Sequence, residues 1–289
     1  MGHSILITGA GTGLGLETAL YLAGKGYRVF AAVAFEGQRK HVEREAVRRR
    51  LSLSLPLLDV TDPKSIRSTV DAIASECGGV NGLINNAGVS LRGYFEDCRE
   101  EEIRTVFDVN LHGSMAVTRE VLPLMRRAGG GRLIFISSIG GRIAAMARSA
   151  YCSSKFAIEG FAESLAQEVM PLGLHVSIIE PAIIKTERWT IHRGVADQAL
   201  DPESPYCDWF RREEELADRL VETSPTTPAD VARTVYRALT ARRPRLRYVV
   251  GSRARLAVLL RRYLPGELFE QIFFRQAVRR VAGPSTNKK

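Results

Sequence analysis

Long apolar runs are absent from this sequence, and no stretch approaches the roughly 20 consecutive apolar residues that cross a bilayer. Cysteine is scarce: the four are Cys77, Cys98, Cys152 and Cys207. None belongs to a Cys-x-x-Cys pair or to a His/Cys cluster with metal-ligand spacing, so we expect reduced thiols and no metal site. We also expect no secretory signal and a cytoplasmic protein, because the N-terminus runs almost directly into an apolar strand.

Acidic residues are nearly missing from the C-terminal part of the chain. Between Arg237 and Lys289 there are fourteen Lys/Arg residues and only two glutamates, a local charge of +12, whereas the rest of the chain has 27 basic and 30 acidic residues; the net charge of +9 therefore comes from this part. The basic tail, residues 253–289, is predicted to be helical. We weigh three roles for it: a solvated face or oligomer contact, a peripheral membrane contact, and a contact with an acidic carrier protein. Nucleic acid is not expected, since no recognition motif occurs.

Strands and helices alternate as far as about residue 182 of 289, where the pattern breaks, and the chain has no internal repeat or low-complexity linker. Apolar strands are predicted at 4–8, 28–33, 53–58, 82–84, 132–137, 174–179 and 246–250. They lack polar alternation, which is typical of a parallel sheet covered on both faces. The prediction is an α/β fold with a doubly wound parallel sheet, Rossmann-like, in one domain over 1–252 with a helical lid at about 183–225.

A glycine-rich turn follows the first predicted strand and opens a helix. Its residues are Gly9, Thr12, Gly13, Leu14 and Gly15. Glycines there permit a tight turn, a close approach of backbone to a pyrophosphate, and close packing of helix on sheet. The free amides at the helix N-terminus then bind phosphate. The spacing of these glycines differs from the common Gly-x-Gly-x-x-Gly motif. The dinucleotide site is therefore predicted from the position of the turn, after the first strand and at the start of a helix.

Tyr151 and Lys155 lie four residues apart on a predicted helix, on one face and one turn apart. A free tyrosine has a pKa of about 10. An ammonium group nearby favours the phenolate form and makes a phenol usable as a general acid or base. Ser138 ends an apolar run and offers a hydroxyl to a developing oxyanion. Alone, this pair is more typical of an ordinary surface helix.

The whole set of motifs resembles the short-chain dehydrogenase/reductase family over about residues 4–190. The motifs are Thr8-Gly-x-x-x-Gly-x-Gly15, Asn85-Asn86-Ala87-Gly88, Asn110, Ser138 and Tyr151-x-x-x-Lys155. The resemblance implies hydride transfer between a nicotinamide cofactor and an alcohol or carbonyl group, and the family's catalytic tetrad. The implied tetrad is Asn110, Ser138, Tyr151 and Lys155. The resemblance also implies further cofactor contacts at Asp59, Val60, Asn86, Ala87, Gly88, Pro181 and Thr186.

The identity of the cofactor stays open between NAD, which we favour slightly, and NADP. An acid after the second strand selects NAD and an arginine accommodates NADP. The chain has Glu36 near that place, and Glu36 is equally interpretable as a surface acid that begins a helix. The neighbouring sequence is similar to that of retinol dehydrogenases and 17β-hydroxysteroid dehydrogenases.

A bulky apolar alcohol or carbonyl compound, such as a steroid, retinoid or polyketide, is the predicted small-molecule substrate. Candidate pocket residues, each equally interpretable as core, are Leu91, Tyr94, Phe95, Trp189, Tyr206, Trp209 and Phe210. Arg142 and Arg148 are predicted to be solvated near the pocket mouth. We expect a homo-oligomer. The alternative function is a nucleotide-binding sensor or scaffold that kept the fold without the chemistry.

Overall fold

Parallel strands form one sheet in the computed structural model, which describes residues 3–186 and 194–282. Within these residues the sheet has six strands: β1 (Ser4–Ile7), β2 (Arg28–Ala31), β3 (Gly82–Asn85), β4 (Gly131–Ile136), β5 (Leu174–Pro181) and β6 (Arg247–Val250). Their order across the sheet is β2-β1-β3-β4-β5-β6, and every neighbouring pair is parallel. The doubly wound, Rossmann-like prediction is confirmed, and the carboxyl ends of all strands lie along one edge.

Helices cover both faces of this sheet. In the described residues they are α1 (Gly13–Gly24), α2 (Glu36–Arg48), α3 (Pro63–Cys77), α4 (Glu100–Phe107), α5 (Ser114–Arg127), α6 (Ser149–Val169), α7 (Cys207–Glu222), α8 (Pro228–Thr240), α9 (Ser252–Tyr263) and α10 (Gly266–Ala282). Strand residues alternate between the faces: Leu6 packs with α3, α5 and α6, whereas Ile5 and Ile7 pack with α1 and α8. Both faces are therefore apolar, as the unbroken apolar strands predict.

The predicted strand at 53–58 is wrong as a continuous strand. The segment lies beside β2 and forms only two isolated parallel bridges, Phe30 with Ser54 and Val33 with Leu57. Pro56 accepts a hydrogen bond from the Val33 N–H at 3.1 Å, but proline has no N–H to return. Proline is tolerated only at a sheet edge for this reason, and here it interrupts the ladder at the edge.

The helical segment that spans residues 100–127 is also interrupted. Between α4 and α5, residues Asp108–Gly113 form a π-helical turn. One extra residue per turn rotates the following side chains relative to a continuous α-helix, and such turns often occur at functional sites. Asn110 lies in this turn and is buried.

Two arginines hold a pair of buried carboxylates beneath the carboxyl end of β5. Glu180 is fully buried and Glu159, on α6, is 5% exposed. Arg142 Nη1 donates to Glu180 Oε1 at 2.9 Å, and Arg247 Nε donates to Glu159 Oε2 at 2.9 Å and lies 3.4 Å from Glu180 Oε1. Arg142 is therefore bound in an ion pair, contrary to the prediction that it is solvated. The cluster joins β5, β6, α6 and the loop after β4.

Burial raises the pKa of the Glu180 carboxyl, and the neighbouring Glu159 adds to this, whereas Arg142 and Arg247 oppose it. An acid with a raised pKa in the folded state contributes most to stability at low pH. That contribution is lost as pH rises through the raised value. The two arginines limit this loss, so the cluster depends on both cations.

Replacing Arg247 by alanine leaves two buried carboxylates with one cation between them, and we expect the free energy of unfolding to fall by about 3–5 kcal/mol. Urea denaturation measures the change. A second substitution, Glu180→Gln, removes one of the buried charges and should recover part of the loss.

The matched control is Arg233→Ala, which breaks an exposed pair with Asp230 on α8 and should cost no more than about 1 kcal/mol. The Glu180→Gln variant should also gain stability relative to the wild type as pH rises above the ordinary carboxyl range. Equal losses in the two alanine variants, or no recovery in the double variant, would contradict the account.

Candidate active site

The turn between β1 and α1 has no room for side chains. Gly9 has a φ of +63°, and a Cβ on it would lie 2.7 Å from the Ala87 Cα. A Cβ on Gly15 would collide with Asn86 Nδ2 and with the Gly9 carbonyl oxygen. Thr8 Oγ1 accepts the N–H groups of Asn86 and Ala87, both at 3.0 Å, so the ends of β1 and β3 are fixed side by side. The result is a trough walled by backbone.

Helix α1 starts from this trough. Gly13, its first residue, has a φ of +56°. Within the described residues Thr12 makes no side-chain cap, and the first turn contains no acid. The N–H groups of the first turn thus point to a position where an anion is favoured by hydrogen bonds and by the helix dipole. Thr186 faces the same turn, since its Cβ lies 3.6 Å from where a Cβ on Gly13 would be.

Tyr151 and Lys155 lie in the first two turns of α6, one turn apart as predicted. Lys155 is 5% exposed, and its Nζ donates to the Ile136 carbonyl oxygen, at the end of β4, at 3.0 Å. The same Nζ lies 5.9 Å from the centre of the Tyr151 ring. The hydrogen bond to the strand end thus fixes a buried ammonium group beside the phenol.

Ser138 approaches the same phenol from the end of β4. Its Oγ accepts the Gly140 N–H at 3.0 Å. A Cβ on Gly140 would lie 3.4 Å from Ser138 Oγ and 3.4 Å from Tyr151 Cε1, so the two side chains flank this glycine. The hydroxyl of Ser138 accepts from the backbone and keeps its own hydrogen to donate.

Asn110 is held behind these residues by the loop after β3. Its Oδ1 accepts the Val89 N–H at 2.7 Å, and its Nδ2 donates to the Val89 carbonyl at 3.0 Å and to Ser154 Oγ at 3.0 Å. A Cβ on Gly88 would lie 3.0 Å from Asn110 Oδ1 and 3.7 Å from Lys155 Nζ. The four residues of the predicted tetrad therefore converge on one place.

One cavity of about 780 Å³ connects the glycine turn with this cluster. Its walls include most of the predicted site residues: Gly9, Thr12, Gly13, Leu14, Gly15, Asn86, Ser138, Tyr151, Lys155, Pro181 and Thr186. Ala87, Gly88 and Asn110 lie behind the wall. Asp59 and Val60 also lie outside it: Asp59 Oδ1 accepts from the Thr61 N–H at 2.8 Å, and Val60 is buried against Gly113.

The far part of the cavity is mostly apolar, and the sequence analysis missed most of its residues. They are Ile143, Ala144, Ala145 and Met146 after β4, Leu216, Ala217 and Leu220 on α7, and Phe273, Phe274, Ala277 and Val278 on α10. Helix α10 packs against α7, where Arg212 Nη1 donates to the Val281 carbonyl at 3.0 Å. The i, i+4 spacing of Phe273 with Ala277 and of Phe274 with Val278 was the available signal.

Most of the predicted pocket aromatics pack elsewhere. Phe210 and Leu91 are buried in a separate small core. The rings of Tyr94 and Tyr206 stack at 4.7 Å, and burial raises the pKa of Tyr94 to about 12. Phe95 and Trp209 are exposed, and Trp189 falls outside the described residues. Of the described members of this predicted set, none lines the cavity.

Comparisons with known proteins give one family model and several similar proteins. A family model described as short chain dehydrogenase matches residues 3–193. An uncharacterized oxidoreductase, YusZ of Bacillus subtilis, is 35% identical over 273 residues, which is 92% of this chain and 95% of that protein. Human retinol dehydrogenase 5 is 32% identical over 283 residues, 93% of this chain and 86% of that protein. The crystal structure of a short-chain dehydrogenase from Streptomyces avermitilis superposes with a TM-score of 0.77 at 29% identity, covering 98% of this chain and 97% of that one.

Proposed function

Because the chain belongs to the short-chain dehydrogenase family and is an NAD(P)-dependent oxidoreductase of CH–OH groups, we propose that it transfers a hydride between nicotinamide and a bulky apolar alcohol or carbonyl compound. The observation that carries this proposal is a single cavity. Ser138, Tyr151 and Lys155 line it together with the glycine turn, and its far walls are apolar. Cofactor, proton donor and apolar substrate then fit side by side.

The residues of the turn fit a dinucleotide. A Cβ at Gly9 or Gly15 would fill the trough, and the amides of α1 offer donors to a pyrophosphate. Asn86, Pro181 and Thr186 would border the nicotinamide half. Ala182 follows Pro181 where the family usually has glycine; among described non-glycine residues only Arg50 and Ala147 have positive φ, so alanine fits this backbone. The bound cofactor supplies or accepts the hydride.

The chain's own residues orient the substrate and move the proton. The hydroxyl of Ser138 donates a hydrogen bond to the substrate oxygen. The Tyr151 phenol donates a proton to that oxygen in reduction and accepts one in oxidation. The Lys155 ammonium stabilises the phenolate left behind. Asn110 is hydrogen-bonded to the N–H and to the carbonyl of Val89, and it holds the loop after β3 beside Lys155.

NAD is the favoured cofactor because of the charges that follow β2. Glu36 begins α2, and Arg39 Nη1 lies 3.6 Å from Glu36 Oε2 while its Nε lies 3.8 Å from Glu43 Oε1. An arginine shared between two carboxylates is a poor partner for the extra phosphate of NADP. A carboxylate near the end of this strand suits the 2′-hydroxyl of NAD.

The apolar far wall supports a bulky substrate. Leucine, phenylalanine and valine side chains from α7 and α10 gain free energy by covering apolar surface. Arg92, Arg148 and Glu213 also line the cavity and offer limited polar contacts. One relative is named a retinol dehydrogenase, and retinol is an alcohol of this class. We propose a steroid, retinoid or polyketide-like compound, and a cytoplasmic homo-oligomer as the working form.

Replacing Tyr151 by phenylalanine removes the proton donor and leaves the cavity shape almost unchanged. We expect kcat to fall by roughly 10²–10⁴ while dinucleotide affinity stays near the wild-type value. A panel of apolar secondary alcohols and ketones, followed by nicotinamide absorbance, measures the first, and fluorescence titration measures the second.

The control is Tyr94→Phe, which removes a phenolic hydroxyl outside the cavity and should turn over normally. Wild-type-like turnover in Tyr151→Phe would disprove the assignment. A wild-type protein that binds dinucleotide but turns over no member of the panel would favour the sensor or scaffold alternative.

The KM of the wild type should be lower for NADH than for NADPH. Glu36→Gln should narrow that preference by about tenfold, because a hydrogen bond to a charged group is lost. Glu43→Gln removes the same charge from a glutamate two turns further along α2 that shares the arginine partner Arg39, and should leave the preference in place. A preference for NADPH in the wild type would show that the cofactor is NADP.

Shortening the apolar wall should affect only large substrates. Leu216→Ala and Leu220→Ala should each lower kcat/KM for a bulky apolar alcohol by about tenfold or more, with little change for a short one. Leu200→Ala, at a side chain that is 51% exposed and outside the cavity, is the control. Equal losses for short and bulky alcohols would contradict the substrate class.

A further inference from the structure

The outer face of α9 is apolar although it faces water. Leu256, Leu259, Leu260 and Tyr263, which we call the α9 stripe, are 59%, 51%, 43% and 73% exposed. Their spacing of i, i+3, i+4 and i+7 places them on one side of the helix. Ala254, the buried residue of α9, lies about 200° away from Leu256 around the helix axis, on the opposite side. On a surface helix the apolar side chains normally face the protein and the polar side chains face water.

Helix α10 extends the same kind of surface. Leu268 and Ile272 lie one turn apart and are 44% and 55% exposed. Phe274 and Val278 are also about half exposed, and both line the cavity. Phe274 is about 200° from Ile272 around the axis of α10, so these two pairs lie on different sides of the helix. Helix α9 itself reaches the cavity through Ala257, which lines it.

Positive charge surrounds the α9 stripe, whereas the two glutamates of this region, Glu267 and Glu270, lie near Leu268 and Ile272 on α10. Residues 252–282 contain seven arginines and two glutamates. In the described part of the chain, no ion pair engages Arg253, Arg261, Arg262 or Arg275. Arg261 instead lies over the Phe269 ring, at 5.5 Å from its centre, and Arg262 lies over the ring of Tyr263, in the stripe itself. Their charges remain available to an external anion.

We propose that the α9 stripe docks on the surface of an anionic lipid bilayer. A second copy of the chain would set arginines against arginines, which is unfavourable, whereas anionic headgroups supply the opposite charge and acyl chains accept the leucines. In the described residues no helix is both long and apolar enough to span a bilayer, so the contact is interfacial.

The position of α10 connects docking with the cavity. Since Ala257 on α9 and the half-exposed Phe274 and Val278 on α10 line the cavity, docking through α9 brings the apolar part of the active site close to the acyl chains. An apolar substrate then passes from lipid to cavity with little exposure to water. This last step rests on the proposed function, but docking itself needs no catalysis.

Co-sedimentation of the full chain with vesicles tests the docking. Binding should be strong to phosphatidylcholine vesicles that contain phosphatidylglycerol, weak to phosphatidylcholine alone, and reduced by added salt. The double variant Leu256→Glu/Leu259→Glu should bind the anionic vesicles at least about tenfold more weakly, because two inserting side chains become charged.

The control is Val47→Glu/Leu200→Glu, which changes the net charge equally at two exposed side chains on other surfaces and should bind like the wild type. Melting temperatures verify that both variants fold. Failure of the wild type to bind anionic vesicles, or equal loss in both variants, overturns the proposal. The proposal is also overturned if the wild type binds no vesicles but forms a dimer, or a complex with an acidic acyl carrier protein, that the Leu256→Glu/Leu259→Glu variant does not form. Dinucleotide binding and turnover are measured separately, so a failure of vesicle binding leaves the test of the proposed function intact.

Discussion

A buried ammonium group organises this protein. Lys155 is 5% exposed, and moving a cation out of water is costly unless fixed partners replace its hydration. The Ile136 carbonyl is one such partner at 3.0 Å, so the start of α6 is tied to the end of β4. Gly88 and Asn110 close the other side. The position of the Tyr151 phenol follows from this bond, because the tyrosine is one helical turn away on the same face.

The surroundings of that group are rigid for independent reasons. The ends of β1 and β3 are locked together through Thr8, and the end of β5 is held by the Arg142, Glu180 and Arg247 cluster. Parallel strands bring these three ends to one edge of the sheet. Residues separated by more than a hundred positions in the chain therefore meet with side chains already fixed, which is the arrangement that catalysis by positioning requires.

Local patterns predicted the fold, and the resemblance of the motifs to a known family implied the tetrad, but neither predicted the partners supplied by distant segments. The apolar runs predicted the parallel sheet, and four-residue spacing predicted that Tyr151 and Lys155 share a face. The break at Pro56 was predictable in principle, since proline cannot complete a ladder. The π turn at Asn110 was not, because the side chain of Asn110 is bonded to the backbone of Val89, 21 positions earlier in the chain. The ion pair of Arg142 with Glu180 likewise depends on contacts across 38 positions.

The packing of α9 and α10 explains why the sequence analysis missed part of the cavity wall. It also bears on the unusual composition of these two helices. A helix that is apolar on one side needs one apolar neighbour, and α10 has that neighbour in α7 and the cavity. Leu268 and Ile272 on α10, and the α9 stripe, are apolar beyond that face, where water gives no gain in free energy. All charged residues of α9 are arginines, and arginine combines a long apolar stem with a charged end. A surface of this composition is therefore matched to an environment that is apolar inside and anionic at its boundary.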